Sequence, residues 1–291
     1  MQEETHAAYE TIHFIAADGY ALSGSYFPAP CGNKTPVLIC PATGVKQGLY
    51  YAFAQWLSGQ GHPVMVFDYR GIGASLAESH VRHSKARKQD WGERDMPAAL
   101  NWLLAKTAAQ QAHVIGHSAG AQLVGLMPNH QAVRSLTAVS ASSGYIGNIR
   151  WPFRATAIGL MWGYIPLSVR LLGYAPAKWL GWGEDLPAGV ARQWAAWCRR
   201  PGYVENSFGT EIQRHYYEAF QAPIAVVAAA DDVLVTPCSI ADWLRLLPNA
   251  RHRVHLLQPA ETDGRAIGHI NMFRRSHAVL WPRLIAGLSA K

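Results

Sequence analysis

The sequence is short of charged residues. Of its 291 residues, only 15% are Asp, Glu, Lys or Arg, against about 25% in an average globular protein. Because disordered chains combine high charge with low hydrophobicity, and 49% of this chain is hydrophobic, disorder is excluded. Glycine and proline are scattered without a short period, which excludes collagen-like and coiled-coil structures. The length suits one α/β domain that carries an insertion.

Cysteine is also scarce. The chain has Cys31, Cys40, Cys198 and Cys238, none of them in a C-x-x-C pair, so we expect no metal site and no cofactor. The segment Met1–Thr5 is acidic and polar, unlike the basic and then apolar start of a signal peptide. Since no run of about 18 uncharged apolar residues occurs, we expect a cytoplasmic protein with reduced thiols and no stable membrane insertion.

Acidic residues are fewer than basic ones, 19 against 26, which leaves a formal net charge of +7. A basic chain can bind nucleic acid. The one dense basic stretch, residues 82–88, has no interleaved aromatic residues and no helix-turn-helix or zinc-finger spacing. We therefore interpret it as a solvated loop and expect no nucleic-acid partner.

Strands and helices alternate along the chain. Two segments with period-two alternation flank Asp18-Gly19, which predicts a hairpin, and wholly apolar runs separated by helical patterns predict a parallel sheet covered on both faces. The predicted strands are Tyr9–Ile15, Tyr20–Phe27, Pro36–Cys40, Pro63–Asp68, Ala112–Gly116, Ser135–Ser140, Pro223–Ala229 and Arg253–Leu257. The predicted helices are Leu49–Gly59, Asp90–Lys106, Ala119–Met127, Cys238–Leu247 and Met272–Leu288.

Residues 144–222 interrupt this alternation and contain no obvious strand of the sheet. We predict an α/β catalytic domain formed by residues 1–143 and 223–291, with residues 144–222 inserted between two strands. The insertion holds six of the 11 tryptophans. Large aromatic side chains give apolar area with few rotors, which suits a substrate pocket, although each one can equally pack the insertion onto the core.

The strongest chemical signal is Gly116-His117-Ser118-Ala119-Gly120, a G-x-S-x-G pattern between an apolar strand and a helix. A sharp turn there needs glycines because side chains on either flank would clash with the neighbouring backbone. The turn presents the Ser118 hydroxyl at the edge of the sheet. Ser118 is therefore the candidate nucleophile, and a plain glycine-rich turn is the less favoured interpretation.

A serine hydroxyl needs a base, and the base in turn needs a carboxylate that orients it. His269 lies in a loop after the last predicted strand, whereas the rivals His252, His255 and His277 lie on or beside regular elements. Asp231 and Asp232 both follow the strand Pro223–Ala229. Asp232 is preferred, because such an acid commonly stands a few residues before a proline, and Asp231 remains an alternative.

The order of nucleophile, acid and base resembles that of the α/β-hydrolase superfamily, and the resemblance covers nearly the whole chain. Phe67–Ser75 is similar to that family's D-Y-R-G-x-G-x-S loop, and Cys40–Gly44 stands where the family has its oxyanion loop. A narrower resemblance, to bacterial predicted serine α/β-hydrolases related to the monoglyceride-lipase and serine-aminopeptidase type, rests on Gly181–Pro187, Trp194–Cys198 and Gly268–Arg274.

The resemblance implies a mostly parallel eight-stranded sheet and a helical cap inserted after the sixth strand. It also implies an oxyanion hole formed by the backbone N–H groups of Thr43 and Ala119, and the cap suggests a pocket lined by Tyr145, Trp151 and Trp162.

The expected function is hydrolysis of small-molecule carboxylic esters with apolar acyl or aromatic groups, through a Ser-His-Asp triad and an acyl-enzyme. An acyltransferase, thioesterase or peptidase would use the same residues, and a non-catalytic binding module is the remaining alternative. The sequence gives no expectation for the oligomeric state.

Overall fold

A computed structural model describes residues 9–30, 32 and 34–289, so the expectations on Met1–Thr5 and Cys31 lie outside the described residues. The main sheet has eight strands, in the order β1-β2-β4-β3-β5-β6-β7-β8. The first two neighbouring pairs are antiparallel and all the others are parallel. The strands are β1 Glu10–Ile15, β2 Ala21–Phe27, β3 Val37–Cys40, β4 Val64–Phe67, β5 Ala112–His117, β6 Val133–Val139, β7 Ile224–Ala229 and β8 His252–Leu257.

This sheet confirms the predicted mostly parallel eight-stranded architecture. Each central strand is apolar on both faces because helices cover both sides of the sheet. In β3, Leu38 and Cys40 point into one hydrophobic layer and Val37 and Ile39 into the other. All four side chains are fully buried.

The helices occupy both faces and the inserted segment. The α-helices of four or more residues are α1 Tyr51–Gly59, α2 Met96–Thr107, α3 Ala119–Gln122, α4 Phe153–Ile158, α5 Ile165–Leu172, α6 Ala188–Cys198, α7 Pro237–Leu244 and α8 Trp281–Ile285. A π-helical segment, Gly159–Tyr164, joins α4 to α5, and another, Trp91–Asp95, precedes α2.

One predicted helix is wrong as a continuous element. In place of an α-helix over Met272–Leu288, the chain forms 3₁₀ turns that break at His277, and α-helix begins only at Trp281. The reason is Pro282, which lacks a backbone N–H and is tolerated only in the first turn of a helix. The helix that follows Ser118 is also shorter than predicted, because α3 ends at Gln122 and the chain continues as a 3₁₀ turn.

Residues 144–222 lie between β6 and β7, which are direct neighbours in the sheet. Besides α4, α5 and α6, this segment contains a short antiparallel pairing of Tyr174-Ala175 with Leu186-Pro187. Neither short strand joins the main sheet. The segment is therefore a helical cap that can differ in shape without disturbing the sheet.

Candidate active site

Ser118 stands at the sharp turn between β5 and α3. Its backbone φ is +49°, a left-handed conformation that costs energy in a residue with a side chain. The flanking glycines are sterically required. A Cβ on Gly116 would lie 2.5 Å from the backbone nitrogen of Ala121, and one on Gly120 would overlap the carbonyl of Cys40. The packing therefore holds the strained serine partly exposed at the carboxyl edge of the sheet.

The structure joins His269 to Asp232. The His269 Nδ1 atom lies 2.8 Å from Asp232 Oδ2, and the other carboxylate oxygen of Asp232 accepts the backbone N–H of Leu234 at 2.9 Å. Burial opposes ionisation of Asp232, but the hydrogen bond and charge attraction from His269 outweigh it and hold the pKa of the carboxyl below its usual value. Since Nδ1 is occupied, Nε2 is the ring nitrogen of His269 that remains to take up a proton.

Asp231, the alternative acid, has a different role. Its two carboxylate oxygens accept the backbone N–H groups of Ile267 at 2.9 Å and Gly268 at 3.0 Å. Asp231 thus anchors the loop directly before His269 and does not contact the imidazole. Asp232 therefore binds the imidazole ring of His269, whereas Asp231 binds the backbone of the loop before it.

His117, inside the G-x-S-x-G motif, connects the Ser118 turn to the loop of His269. Its Nε2 atom donates to the carbonyl oxygen of His269 at 2.8 Å, and its Nδ1 accepts from the hydroxyl of Tyr50 at 2.8 Å. Complete burial lowers the pKa of His117 to about 3, so the ring is neutral, as the two hydrogen bonds require. The rings of His117 and His269 have centroids 5.4 Å apart.

The structure thus brings Ser118 and His269 to the same edge of the sheet. Among the described residues it shows no hydrogen bond between Ser118 Oγ and His269 Nε2. Such bonds are commonly long in an enzyme without substrate and tighten in the reacting complex.

The two predicted oxyanion donors are Thr43, on the loop after β3, and Ala119, the first residue of α3. The backbone N–H groups of Thr43 and Ala119 donate to no acceptor in the described part of the chain. The N–H of Ala42, by contrast, donates a hydrogen bond to the hydroxyl oxygen of Tyr50 at 3.0 Å. Because Tyr50 also donates to His117, one buried hydrogen-bond chain connects the Ala42–Thr43 loop to the His269 loop.

Lys88 is a buried cation against this loop. Its side chain has no exposed surface, and its ammonium donates to Thr43 Oγ1 at 2.5 Å. The ammonium lies 4.9 Å and 5.5 Å from the ring centroids of Trp91 and Trp194, and no carboxylate among the described residues pairs with it. Desolvation lowers the pKa of Lys88 to about 7. The interpretation of residues 82–88 as a solvated loop is therefore wrong for Lys88.

Replacing Lys88 by methionine is expected to stabilise the fold and to lower activity about tenfold, because the buried charge disappears and Thr43 loses its donor. The depressed pKa means that unfolding takes up a proton between about pH 7 and pH 10.5. The stability of the parent protein therefore rises with pH across that window. The gain from Lys88→Met is largest at and below pH 7 and shrinks toward pH 10.5.

Denaturant unfolding at several pH values measures this difference. Lys106→Met, which removes a half-exposed lysine that lies over Tyr26, is the matched control. A Lys88→Met gain that does not change with pH would show that the buried ammonium is not the cause.

The three rival histidines are placed elsewhere. His252 and His255 are exposed on the edge strand β8. His277 is buried, and its Nε2 lies 3.1 Å from the carbonyl of Ala266, so it supports the loop that carries His269. Only His269 joins a carboxylate among these candidates.

The predicted pocket residues differ in their exposure. Trp151 and Trp162 expose 66% and 59% of their surface, and Tyr145 packs at the margin of the core. The two tryptophans therefore do not line an enclosed pocket, because the inward positions of the cap helices hold smaller aliphatic side chains. Of the six cap tryptophans, Trp194 and Trp197 are the ones turned toward the protein, and Trp194 contacts Lys88.

The cap reaches the oxyanion loop directly. The backbone N–H of Glu184 donates to the carbonyl of Gly44 at 2.7 Å, and the Glu184 carboxylate pairs with Lys46 at 3.1 Å. A Cβ on Gly183 would overlap the Gly44 carbonyl. This contact explains why the segment Gly181–Pro187 needs glycine at that position.

Sequence reasoning missed Lys88, Tyr50, His117 and the separate task of Asp231. For His117 a signal existed, since the residue stands inside the motif. Lys88 and Tyr50 gave no such signal in the sequence, because their roles depend on contacts with residues distant in the chain. Within residues 9–30, 32 and 34–289, no group of three or more His, Cys, Asp or Glu side chains is arranged to hold a metal ion.

A model of the alpha/beta hydrolase family matches residues 37–264. The chain therefore belongs to the alpha/beta hydrolase family. Among curated proteins it is similar to the uncharacterized protein Rv2307c of Mycobacterium tuberculosis, with 28% identity over 191 residues that cover 63% of this chain and 65% of the relative. The match thus spans slightly under two thirds of that relative's length.

Two solved structures share the fold over nearly the whole chain. The complex of DcsB with its substrate analogue superposes with a TM-score of 0.65 at 12% identity, covering 97% of this chain and 99% of DcsB. The Pyrococcus furiosus esterase Pf2001 superposes with a TM-score of 0.62 at 15% identity, covering 97% and 90%. The narrower resemblance to bacterial predicted serine α/β-hydrolases stays a prediction.

Proposed function

We propose that the protein hydrolyses carboxylic esters of small apolar molecules through an acyl-enzyme on Ser118. The observation that carries this proposal is the Asp232–His269 hydrogen bond of 2.8 Å, on a loop tied by His117 to the strained serine turn. The structural similarity to the esterase Pf2001 is consistent with this proposal, and at 15% identity it shows a shared fold.

In the proposed mechanism Ser118 Oγ attacks the ester carbonyl while His269 Nε2 takes its proton. The carbonyl electron pair moves to oxygen, where the N–H groups of Ala119 and Thr43 stabilise the negative charge. Loss of one such donor costs on the order of 3 kcal/mol of transition-state stabilisation. His269 then protonates the leaving alcohol, and the acyl-enzyme forms. Water, deprotonated by His269, releases the acid and regenerates the serine.

A fluorophosphonate probe tests the nucleophile directly. We expect it to label Ser118 in the parent protein and to label nothing after His269→Ala, since the hydroxyl then lacks its base. Mass spectrometry of the digested protein locates the modified residue. Labelling of a different residue, or none in the parent protein, would favour a non-catalytic binding module.

A panel of esters, thioesters and amides of graded acyl length identifies the substrate class. We expect p-nitrophenyl esters to be turned over and the corresponding amides to react at least about 10²-fold more slowly, because the amine is the poorer leaving group. Alcohols added to the reaction reveal acyl transfer as new ester product. A preference for thioesters, amides or alcohol acceptors would replace the esterase assignment by the corresponding class.

A further inference from the structure

The outer face of the cap is apolar and uncovered. Five large apolar side chains between residues 151 and 182 expose more than half of their surface, and we call them the apolar cap face. They are Trp151, Trp162, Leu167, Leu171 and Trp179. Among the described residues elsewhere, only Ile15 and Val279 are large apolar side chains with comparable exposure. The concentration on one segment therefore needs an explanation.

Three members of the apolar cap face, Trp162, Leu167 and Leu171, lie on the outward side of the helical segment Phe153–Leu172, whose inward side is already packed. Ala157, Leu160, Met161, Ile165 and Val169 are buried, at the three- and four-residue spacing of a single helical face. A surface helix of a soluble domain would carry polar residues opposite that face. Here the opposite side carries leucine and tryptophan, and nothing in the described chain covers it.

The charges around this face are mostly basic, and one of them, Lys178, is paired with Glu184 at 2.9 Å. Between residues 150 and 182 the sequence has Arg150, Arg154, Arg170 and Lys178 and no aspartate or glutamate. The guanidinium of Arg199 lies over the ring of Trp162, 4.6 Å from its centroid. Exposed tryptophan and leucine bordered by basic side chains are the combination that binds at the headgroup level of an acidic lipid bilayer.

We propose that the apolar cap face binds to the surface of an anionic lipid bilayer, with its tryptophans and leucines among the headgroups and its arginines facing lipid phosphates. The segment Phe153–Leu172 has the length and mean hydropathy, 1.3, that could span a membrane, and a third of it is buried in the protein. Spanning would strip the inward side chains from the core, whereas surface binding uses only side chains that are already exposed. The segment therefore lies along the membrane.

The cap that we propose to bind lipid also contacts the candidate site. The cap touches the oxyanion loop through Glu184 and Gly44, so the lipid-bound cap and the catalytic edge of the sheet are mechanically connected. Binding itself does not rest on the proposed esterase function. Ser118→Ala is expected to bind vesicles as tightly as the parent protein, which separates failure of one proposal from failure of the other.

Sedimentation with sucrose-loaded vesicles tests the proposal. At near-physiological salt we expect the full chain to sediment with phosphatidylcholine vesicles that contain phosphatidylglycerol, and to bind pure phosphatidylcholine more weakly. The double variant L171S/W179S is expected to reduce the partition coefficient about tenfold or more. The matched control is I15S/V279S, which removes equally exposed apolar side chains outside the cap and is expected to bind like the parent protein.

A second pair of variants tests the charge. Neutralising Arg150 and Arg170 as R150Q/R170Q is expected to weaken binding to the anionic vesicles about tenfold while leaving binding to phosphatidylcholine unchanged. The control R253Q/R275Q removes two exposed arginines outside the cap. Because all the replaced side chains are exposed, circular dichroism and the melting temperature are expected to stay at parent values.

Several results would overturn the proposal. The proposal is wrong if the parent protein stays in the supernatant with anionic vesicles. It is also wrong if the cap variants and their controls lose vesicle binding equally. Sedimentation without vesicles, reversed by L171S/W179S, would instead assign the apolar cap face to contact between two copies of the chain.

Discussion

Replacing Ser118 by alanine is expected to lower p-nitrophenyl ester turnover by about 10⁴-fold or more, with the fold intact. The hydroxyl is the only group at the turn that can form the acyl-enzyme, and the oxyanion donors that remain have no covalent intermediate to stabilise. Alanine keeps the backbone hydrogen bonds of Ser118 to Val139 and Ala121, so the melting temperature is expected to change little. Steady-state kinetics and thermal unfolding on the same preparations measure both quantities.

The matched control for this experiment is Ser168→Ala. Ser168 is a buried serine on α5 whose hydroxyl donates to the carbonyl of Ile165 at 3.1 Å. Its loss is expected to leave turnover unchanged. Near-parental turnover by Ser118→Ala would refute the proposed nucleophile, and the fluorophosphonate-labelled residue would then be sought elsewhere.

The second large effect distinguishes the two adjacent aspartates. Asp232→Asn is expected to lower kcat by about 10⁴-fold, because the imidazolium of His269 loses the charge that stabilises it and the ring loses its preferred tautomer. Because the pKa of Asp232 lies below its usual value, the carboxylate is already ionised at neutral pH and does not change its protonation state there.

Asp231→Asn is the comparison that makes this result specific. An amide has one acceptor oxygen where the carboxylate used two, so one of the N–H groups of Ile267 and Gly268 loses its partner. We expect a loss of about 1–3 kcal/mol of stability and a decrease in kcat of only about tenfold. A larger kinetic loss in Asp231→Asn than in Asp232→Asn would reverse the two roles.

Much of the fold followed from patterns along the chain. The apolar runs predicted the central strands because strands buried on both faces carry apolar residues on both faces, as β3 shows. The last helix could not be predicted in the same way. Its apolar spacing is helical, but Pro282 delays the α-helix to Trp281, and the preceding turns follow the packing against α1.

Some residues of the candidate site could likewise be predicted from the sequence, whereas others could not. Ser118 is visible in the sequence because its turn imposes glycines at fixed positions two residues away on either side. His269 is visible because the chain order and its loop position exclude the rivals on regular elements. The choice between Asp231 and Asp232 was open, because both follow the same strand and only the direction of each side chain decides which one reaches the ring.

The scarcity of charge in the sequence determined that this chain forms a large apolar core, and the alternation of its elements determined a doubly covered parallel sheet. Only the tertiary structure decided where the remaining apolar and charged residues go. It buried Lys88 against the Ala42–Thr43 loop although Lys85 and Arg87, close to it in sequence, are exposed, and it turned Trp151 and Trp162 of the cap outward. The physical reason is that local sequence sets the spacing of side chains along an element, whereas burial depends on which other elements pack against each face.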